Sequence, residues 1–543
     1  MPSFRSSFTV FALLVALPTA SQAARPNDFG TETLIASGFN APYEVRVADL
    51  DGDGDEDIVS LAFGDEKVAW FENLGGWSFA AEQLIESVPS PQALEIADLD
   101  ADGDLDLVVG GNFVVRTLEN LGGGQFAPSV VLASDLILIR SVVAADLDGD
   151  GDLDVAASSN AQDQIVWFEG DGTGAFGPKL LVSNALDAPR TLCAADLDGD
   201  GLLDLACGAG AANPVSWLRG NGAGFDDPLP IGGLTALAYD LVAADLNGDG
   251  ALDLAAITED NVHRFLNDPA GWVEDTVGGT LNSGRHLVAA DLSGNGSPDL
   301  ALVSRFDSKV AWFANQCGEA FAPEAPVGTT GDPTRITAGD LDGDGDLDLV
   351  VGGLISDQIV AFENLVPAAV DCNGNGIGDD CEIGAAPWLD WDGNGVLDGC
   401  AGEPVLCTAN PNSVSSTGAR LMPLGSPVLA DDDFALGGFL LPPGMPGYFI
   451  CSRSTALVNP FGGGAGVLCL GPPVRRMSPQ NGFPLQTVLA SGYISPFVDV
   501  DALPFLTPVV PGDTIHFQFW FREPNGQGGM TSNTSDAVSV LFR

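Results

Sequence analysis

Aspartate is concentrated in one short string that returns seven times along the chain, first at Asp49. Aspartate predominates at the first, third, fifth and ninth positions of these copies, and glycine stands at the sixth. Alternate carboxylates in such a turn converge on one centre, and oxygen-only ligands of this kind suit Ca²⁺. Because the crowded carboxylates would repel one another without a cation, a calcium loop is a better interpretation than a solvated turn.

The candidate ligands in each loop are the side chains at those four positions and the backbone carbonyl at the seventh. In chain order the seven loops supply Asp49, Asp51, Asp53, Asp55 and Asp57; Asp98, Asp100, Asp102, Asp104 and Asp106; Asp146, Asp148, Asp150, Asp152 and Asp154; Asp196, Asp198, Asp200, Leu202 and Asp204; Asp245, Asn247, Asp249, Ala251 and Asp253; Asp291, Ser293, Asn295, Ser297 and Asp299; and Asp340, Asp342, Asp344, Asp346 and Asp348. The sixth loop has only two carboxylates and is the weakest candidate.

Two further acidic loops lie in residues 371–400 and resemble the spacing of other calcium loops. Their candidate ligands are Asp371, Asn373, Asn375, Ile377, Asp379 and Glu382, and then Asp390, Asp392, Asn394, Val396 and Asp398. Glycine and proline flank them in place of amphipathic helices, so a pair of EF-hands is not expected. We interpret this segment as a linker stiffened by calcium, with disulfides as a further possibility.

The overall charge limits the classes of partner. Lys and Arg total 20 and Asp and Glu total 75, which gives a formal net charge of −55. We therefore expect neither a basic nucleic-acid interface nor docking on anionic lipid. The hydrophobic content of 45% is enough for a packed core. We expect a monomer that is not inserted in a membrane.

The acidic strings recur at intervals of 46 to 50 residues, a period typical of propellers and solenoids. Each unit contains four short apolar runs, in the first unit Val45–Ala48, Ile58–Phe63, Val68–Asn73 and Phe79–Ser87. Four strands per unit predict a propeller blade. Residues 32–37, ETLIAS, match the fourth run of the first unit, EQLIES, and the last unit stops after its third run. The N-terminal strand is therefore predicted to complete the seventh blade and close the ring.

The seven units resemble FG-GAP/VCBS repeats, the blades of integrin α-subunit propellers. The resemblance implies a seven-bladed propeller with Ca²⁺ in the loops that join the first and second strands. Propellers of this family serve in adhesion, in sugar binding and as accessory parts of enzymes. The linker resembles thrombospondin type 3 or dockerin-like calcium segments, and the C-terminal part resembles uncharacterised modules of secreted bacterial proteins.

We therefore predict an all-β protein in four parts. Residues 1–23 have a charged start, a short apolar run and a small-residue cleavage site, which indicate a signal peptide and a secreted or cell-surface protein. Residues 30–366 form the propeller, 367–402 the linker and 403–543 a β-sandwich whose clearest strand is His516–Arg522.

The face opposite the calcium loops is the candidate ligand face. First strands start there, near the central axis. In six of the seven units a basic or aromatic residue stands at or next to one repeated position, which Gln92 occupies in the second unit. These six residues are Tyr43, Arg140, Arg190, Tyr239, Arg285 and Arg335. Arginine binds carboxylate or sulfate and tyrosine stacks on sugars, so an acidic polysaccharide is the preferred ligand. Alternatively, these arginines balance nearby carboxylates and line a water-filled channel.

The cysteines in the propeller allow one specific prediction. Cys193 and Cys207 are placed symmetrically about the fourth loop, so they are predicted to face each other on paired strands, within reach of a disulfide. Two buried free thiols are the alternative. Cys317 has no such partner in the propeller.

No catalytic motif indicates an enzyme: HExxH, GxSxG and a P-loop are absent, and Gly172–Gly177 matches GxGxxG only by letters. We predict a calcium-binding propeller that binds an extracellular glycan or protein. The alternative is a polysaccharide lyase or hydrolase, or the accessory subunit of one. An arginine, lysine or tyrosine beside a carboxylate in a cleft away from the calcium loops would favour this alternative.

Overall fold

The computed structural model describes residues 28–210, 214–318, 320–366 and 377–385, and nine strands between residues 420 and 541. The predicted signal peptide lies outside the described residues, as do the predicted ligands Asp371, Asn373 and Asn375 and the entire second linker loop. Among the described residues, no helix has both the length and the apolar character needed to cross a bilayer.

Seven antiparallel four-stranded sheets form the blades of a propeller, as the repeat period predicts. From the inner to the outer strand, blades 1 to 4 contain Pro42–Ala48, Asp57–Ala62, Lys67–Phe71 and Gln83–Ser87; Ala93–Ala97, Asp106–Gly110, Phe113–Leu118 and Val130–Leu136; Ile139–Ala145, Asp154–Ser159, Gln164–Phe168 and Leu180–Ser183; and Thr191–Ala195, Asp204–Gly208, Val215–Leu218 and Leu229–Pro230. A short 3₁₀ helix, Asn160–Gln162, joins two strands of blade 3.

Blades 5 to 7 repeat the arrangement. They contain Asp240–Ala244, Asp253–Ile257, Val262–Asp268 and Gly271–Gly278; Gly284–Ala290, Asp299–Ser304, Lys309–Phe313 and Ala325–Thr329; and Pro333–Gly339, Asp348–Gly353, Gln358–Phe362 and Thr33–Ser37. Blade 6 carries an additional hairpin, Asn315–Gln316 with Ala320–Phe321, before its outer strand. The seven first strands contact one another in order around the central axis.

The predicted closure of the ring is confirmed. The N-terminal strand Thr33–Ser37 pairs antiparallel with Gln358–Phe362, so the seventh blade takes its outer strand from the start of the chain. An isolated bridge between Phe29 and Asn364 extends this pairing. Blade 7 therefore has four strands like the others.

The core lies between blades, because each second strand is buried on both faces. All six residues of Asp57–Ala62 are buried, for example. Val59 and Leu61 pack with residues of blade 2, whereas Ile58 and Ala62 pack with residues of blade 7. Each blade therefore depends on two neighbours, which explains why an unclosed ring would expose apolar surface at its ends.

The prediction that Cys193 and Cys207 face each other is wrong, because the strand register differs from the predicted one by one residue. Cys193 pairs with Ala206 and Cys207 pairs with Leu192, so the two thiols point to opposite faces of the blade. Cys207 packs between blades 3 and 4 and Cys193 packs toward blade 5. Both are free thiols. Burial raises the pKa of Cys193 to about 11 and that of Cys207 to about 12.

Outside the propeller, the described elements are one helix and nine strands. The helix, Asp379–Ala385, lies in the linker, where no helix is expected from the sequence. Antiparallel strands pair in three sheets: Arg420–Leu424 with Ala435–Phe439; Thr455–Val458 with Leu468–Leu470; and Pro446–Ser452 with Arg475–Arg476, Gln486–Thr487 and Thr514–Pro524, which pairs with Met530–Leu541. The strand expected at His516–Arg522 is thus present, and the sandwich arrangement stays a prediction.

Candidate functional site

The seven acidic loops join the first and second strand of each blade, and their shape is fixed by their own backbone. In loop 1, Asp49 Oδ1 accepts a hydrogen bond from the Gly52 N–H (2.8 Å) and Oδ2 accepts one from the Gly54 N–H (3.0 Å). The first aspartate accepts a bond from the sixth-position glycine in every loop. That glycine has a positive φ, 98° at Gly54, which explains why glycine recurs there.

Five of the seven loops bring three carboxylate oxygens within 4.8 Å of one another. These acidic trios are Asp49, Asp51 and Asp53; Asp98, Asp100 and Asp106; Asp146, Asp148 and Asp154; Asp196, Asp198 and Asp204; and Asp340, Asp342 and Asp344. Burial and the adjacent Asp53 raise the pKa of Asp51, and burial and Asp344 raise that of Asp346 to about 7. Oxygen ligands this close, whose charges repel, fit a hard divalent cation.

The ninth-position aspartate also has a structural role in holding its loop. Asp57 is 1% exposed, and its two oxygens accept hydrogen bonds from the Leu50 N–H (3.2 Å) and the Asn73 N–H (2.7 Å). Burial raises the pKa of Asp57 to about 7, and has the same effect on Asp299 and Asp348. The side chain therefore ties the loop to the end of the third strand, in addition to any bond to a cation.

Loops 5 and 6 bring no such trio together among the described residues. In loop 5, Asn247 Nδ2 donates a hydrogen bond to Asp249 Oδ2 (3.0 Å). In loop 6 the Asn295 Nδ2 donates to the Asn315 carbonyl (2.9 Å), and its own carbonyl accepts a bond from the Gly378 N–H of the linker (2.8 Å). Loop 6, the weakest candidate in the sequence, is thus engaged in protein contacts.

The linker is also bound covalently beside this loop, because Cys317 of blade 6 forms a disulfide with Cys381. The sequence left Cys317 without a partner in the propeller, and its partner lies in the linker helix. Asp379 is 1% exposed, whereas the predicted ligand Ile377 is exposed. The described part of the first linker loop therefore packs on blade 6.

Recurring asparagines connect each blade to the acidic loop of a neighbouring blade, a role that the sequence did not reveal. Asn120 Nδ2 in blade 2 donates to the Leu50 carbonyl of loop 1 (2.8 Å). Equivalent bonds come from Asn73, Asn267, Asn315 and Asn364. Gly170 and Gly220 replace asparagine in blades 3 and 4. The signal was visible as an asparagine recurring shortly after the third strand, but its partner in another blade was not.

We expect Asn120→Ala to lower the free energy of unfolding by about 2 kcal/mol, because it leaves buried backbone groups without partners. Asn120 is fully buried, and its Oδ1 also accepts from the Gly122 N–H (3.1 Å). Asn221→Ala, at an exposed asparagine of blade 4, is the matched control. Urea unfolding in saturating calcium measures both variants, and equal midpoints would contradict the structural role of Asn120.

The opposite end of the central axis forms a cavity, here called the mouth, of about 420 Å³. All six predicted residues line it, together with Arg305, Thr334 and Leu354. Arg305 and Leu354 come from turns between second and third strands, and the single-position pattern in the sequence could not reveal them. The structure therefore brings the predicted ring together and adds a fifth arginine.

Two of the five arginines are balanced by carboxylates. Arg335 Nε lies 2.7 Å from Glu44 Oε2, and Glu44 is 4% exposed. Arg305 binds Asp332 through two hydrogen bonds of 2.6 and 2.8 Å. For these two, the interpretation that mouth arginines balance nearby acids is supported.

The other three, Arg140, Arg190 and Arg285, form no ion pair with any described residue. Tyrosines position them instead. The guanidiniums of Arg190 and Arg285 lie 4.9 and 4.4 Å from the centre of the Tyr239 ring, and Arg140 Nη1 donates to the Tyr43 hydroxyl. Burial and the nearby Arg140 charge lower the pKa of Arg190. The mouth therefore holds positive charge that the described residues do not neutralise.

Acidic and basic groups lie together farther along the axis, toward the acidic loops. A second cavity of about 250 Å³ is lined by Glu44, Glu95, Asp240 and His286 and also by Arg46, Arg140, Arg190 and Arg335. Asp240 accepts hydrogen bonds from Thr191 Oγ1 (2.9 Å) and the Leu287 N–H (3.1 Å), and lies 3.2 Å from His286 Nε2. Burial raises the pKa of Asp240 to about 6. The charge along the axis thus changes from basic at the mouth to mixed below it.

Comparison with solved structures gives matches of low sequence identity. A lectin from Agrocybe aegerita that recognises non-reducing terminal N-acetylglucosamine is 21% identical with a TM-score of 0.44, over 60% of this chain and 86% of that chain. BBS1N in complex with ARL6DN, in a crystal soaked with lead, is 15% identical with a TM-score of 0.43, over 62% of this chain and 96% of that chain.

Comparison with sequence families is more specific. Five segments match the FG-GAP-like repeat: residues 49–109, 146–207, 196–256, 245–302 and 291–351. All seven acidic loops lie within these segments. None of the curated proteins compared matches the chain.

Proposed function

This chain is an FG-GAP repeat protein with a seven-bladed propeller, and we propose that it is an exported, calcium-stabilised binding module. Its ligand is an extracellular glycan or protein that binds at the mouth. The observation that carries this proposal is the separation of charge. Five acidic trios lie in loops at one face, and three arginines without acidic partners meet at the other.

The calcium part of the proposal rests on the acidic trios. Their oxygens come from carboxylates alone, which calcium prefers over nitrogen or sulfur ligands. Asp98, Asp100 and Asp106, for instance, would hold the ion between the first and second strands of blade 2. Calcium would supply the positive charge that offsets carboxylate repulsion there. Export to a calcium-rich medium is consistent with the signal-peptide pattern of residues 1–23.

The binding part rests on the mouth, which is concave, polar and positively charged in a chain of net charge −55. A pocket of this size encloses a small molecule or one part of a larger one. An acidic polysaccharide meets both the charge and the tyrosine rings, and is the ligand we favour.

The polysaccharide-degrading alternative has one supporting feature. Arg335 lies beside the Glu44 carboxylate, away from the acidic loops, and its guanidinium lies 5.2 Å from the centre of the Tyr43 ring. However, Glu44 contacts Arg46 through one oxygen and Arg335 through the other. Two guanidiniums thus occupy both oxygens of this carboxylate and leave neither oriented toward a substrate proton, which makes it a poor general base. Binding is therefore the better supported function.

A glycan array probed with the purified protein in calcium and in EDTA tests the proposal. We expect retention of acidic glycans in calcium and loss of that retention in EDTA, because the ring loses its stabilising ions. An array without retained ligands in calcium would contradict the binding function. Products shorter than the applied glycans would support the degrading enzyme instead.

A further inference from the structure

The mouth is built to keep its charge available. An arginine held in position by an aspartate has its charge neutralised. An arginine held by an aromatic ring has no opposite charge beside it, so it can bind an anionic ligand. Resting on the proposed binding function, we propose that the mouth recognises the chain end of an acidic glycan. Arg140, Arg190 and Arg285 hold one terminal carboxylate or sulfate of that chain.

An anionic ligand follows from the contacts of the three arginines. Tyr239 lies between Arg190 and Arg285 and holds both guanidiniums at the same cavity. The Nε atom of Arg140 is buried and lacks a hydrogen-bond partner. Guanidinium groups bind carboxylate and sulfate oxygens through paired N–H donors, and a buried donor without a partner costs free energy until one arrives.

Recognition of a chain end follows from the position of the cavity on the axis. The first strands of all seven blades surround the axis, so a group reaches the mouth from the open end. Beneath it, the carboxylates of Glu44, Glu95 and Asp240 lie among arginines, and Glu44 is paired with Arg46 and Arg335, so the arginines without acidic partners mark the mouth as the place for the anionic end. A terminal group can enter to this depth, whereas a sugar in the middle of a chain that crosses the face cannot.

A glycan is favoured over a peptide by the lining. Of the described residues that line the mouth, Leu354 alone is aliphatic, and the rest offer hydrogen-bonding groups or aromatic rings. Hydroxyl-rich sugars suit such a surface, whereas apolar peptide side chains need apolar pockets. At the rim, Tyr43 packs against Phe63 (5.8 Å between ring centres), and Phe306 is 63% exposed. These rings can pack against the C–H face of the next sugar.

The first test compares oligosaccharides of equal length by calorimetry in saturating calcium. One carries a uronate at the non-reducing end, one carries it only inside the chain, and one is neutral. We expect the terminal uronate to bind at least about tenfold more tightly than either of the others. Equal binding of terminal and internal uronates would overturn end recognition. Equal binding of the neutral chain would overturn the anion site while leaving the binding function intact.

The second test uses variants. Arg285→Gln, at a side chain held by the Tyr239 ring, should weaken binding of the terminal uronate about tenfold, and the combined Arg140→Gln, Arg190→Gln and Arg285→Gln variant about a hundredfold. Lys179→Gln, at an exposed lysine paired with Asp135 outside the mouth, removes one charge as the control. Should the triple variant melt early in calcium, the single variant decides alone.

Two results separate this proposal from the one on which it rests. Tighter binding of a peptide with a terminal carboxylate than of the terminal uronate would overturn the glycan class. Unchanged affinity of Arg285→Gln for the terminal uronate would overturn the arginine site, although the protein would still be a binding module. Failure of every probe to bind would contradict the proposed function itself.

Discussion

Removing calcium with EDTA at pH 8 should lower the melting temperature of the protein by at least about 15 °C. Extracellular calcium modules bind with Kd of roughly 10⁻⁴–10⁻³ M. At a free calcium concentration of 100 Kd, each occupied site adds about 2.7 kcal/mol to the free energy of unfolding. Five acidic trios make this the largest effect we expect. Differential scanning fluorimetry in calcium and in EDTA measures it.

The effect should depend on pH in a defined direction. Without calcium, burial raises the pKa of Asp57, Asp299 and Asp348 to about 7, above the ordinary value near 4. The folded state then binds more protons than the unfolded state between about pH 4 and 7, so stability in EDTA falls as pH rises through this range. The gain from calcium should therefore be larger at pH 8 than at pH 6. Identical melting curves in calcium and EDTA at pH 8 would refute the calcium assignment.

Phe29→Ala should lower the free energy of unfolding by about 3–5 kcal/mol. Phe29 is 8% exposed and packs edge-on against Trp312 of blade 6, with 5.7 Å between ring centres. The adjacent Gly30 N–H donates to the Glu363 carbonyl (2.7 Å), which joins the two ends of the propeller. Loss of the ring leaves a cavity where the closing strand enters the core. Urea unfolding in saturating calcium gives the difference.

The closing strand provides its own control. Leu34 is 52% exposed on the outer strand of blade 7, so Leu34→Ala should change the free energy of unfolding by less than about 0.5 kcal/mol. Both variants remove apolar atoms from the same N-terminal segment. Equal effects of the two substitutions would mean that the ring does not depend on how this segment packs.

The sequence predicted the blades and the closure because both are local patterns. A repeated acidic string marks the end of each first strand, and the likeness of residues 32–37 to an outer strand identifies the closing strand. Pairing of Thr33–Ser37 with Gln358–Phe362 needed only the period and the missing fourth run. The Arg and Tyr ring was also visible, because one position of each repeat points to the axis.

What the sequence missed depends on distances between blades or on a single residue of register. Cys193 and Cys207 were placed opposite each other by symmetry, yet the hairpin pairs Cys207 with Leu192. Glu44 neutralises Arg335, which lies 291 residues away, so no local pattern could show which arginines remain unbalanced. The disulfide from Cys317 spans 64 residues to a linker helix that was not expected.

Calcium stoichiometry, measured by equilibrium dialysis of the full chain against radioactive calcium, tests the central claim most directly. The five acidic trios predict at least five bound ions per chain. Asp98→Asn combined with Asp100→Asn should lower that number by one, whereas Asp135→Asn, at a 66% exposed side chain outside the loops, should leave it unchanged. Fewer than five ions per chain, or an unchanged number for the loop variant, would contradict the account.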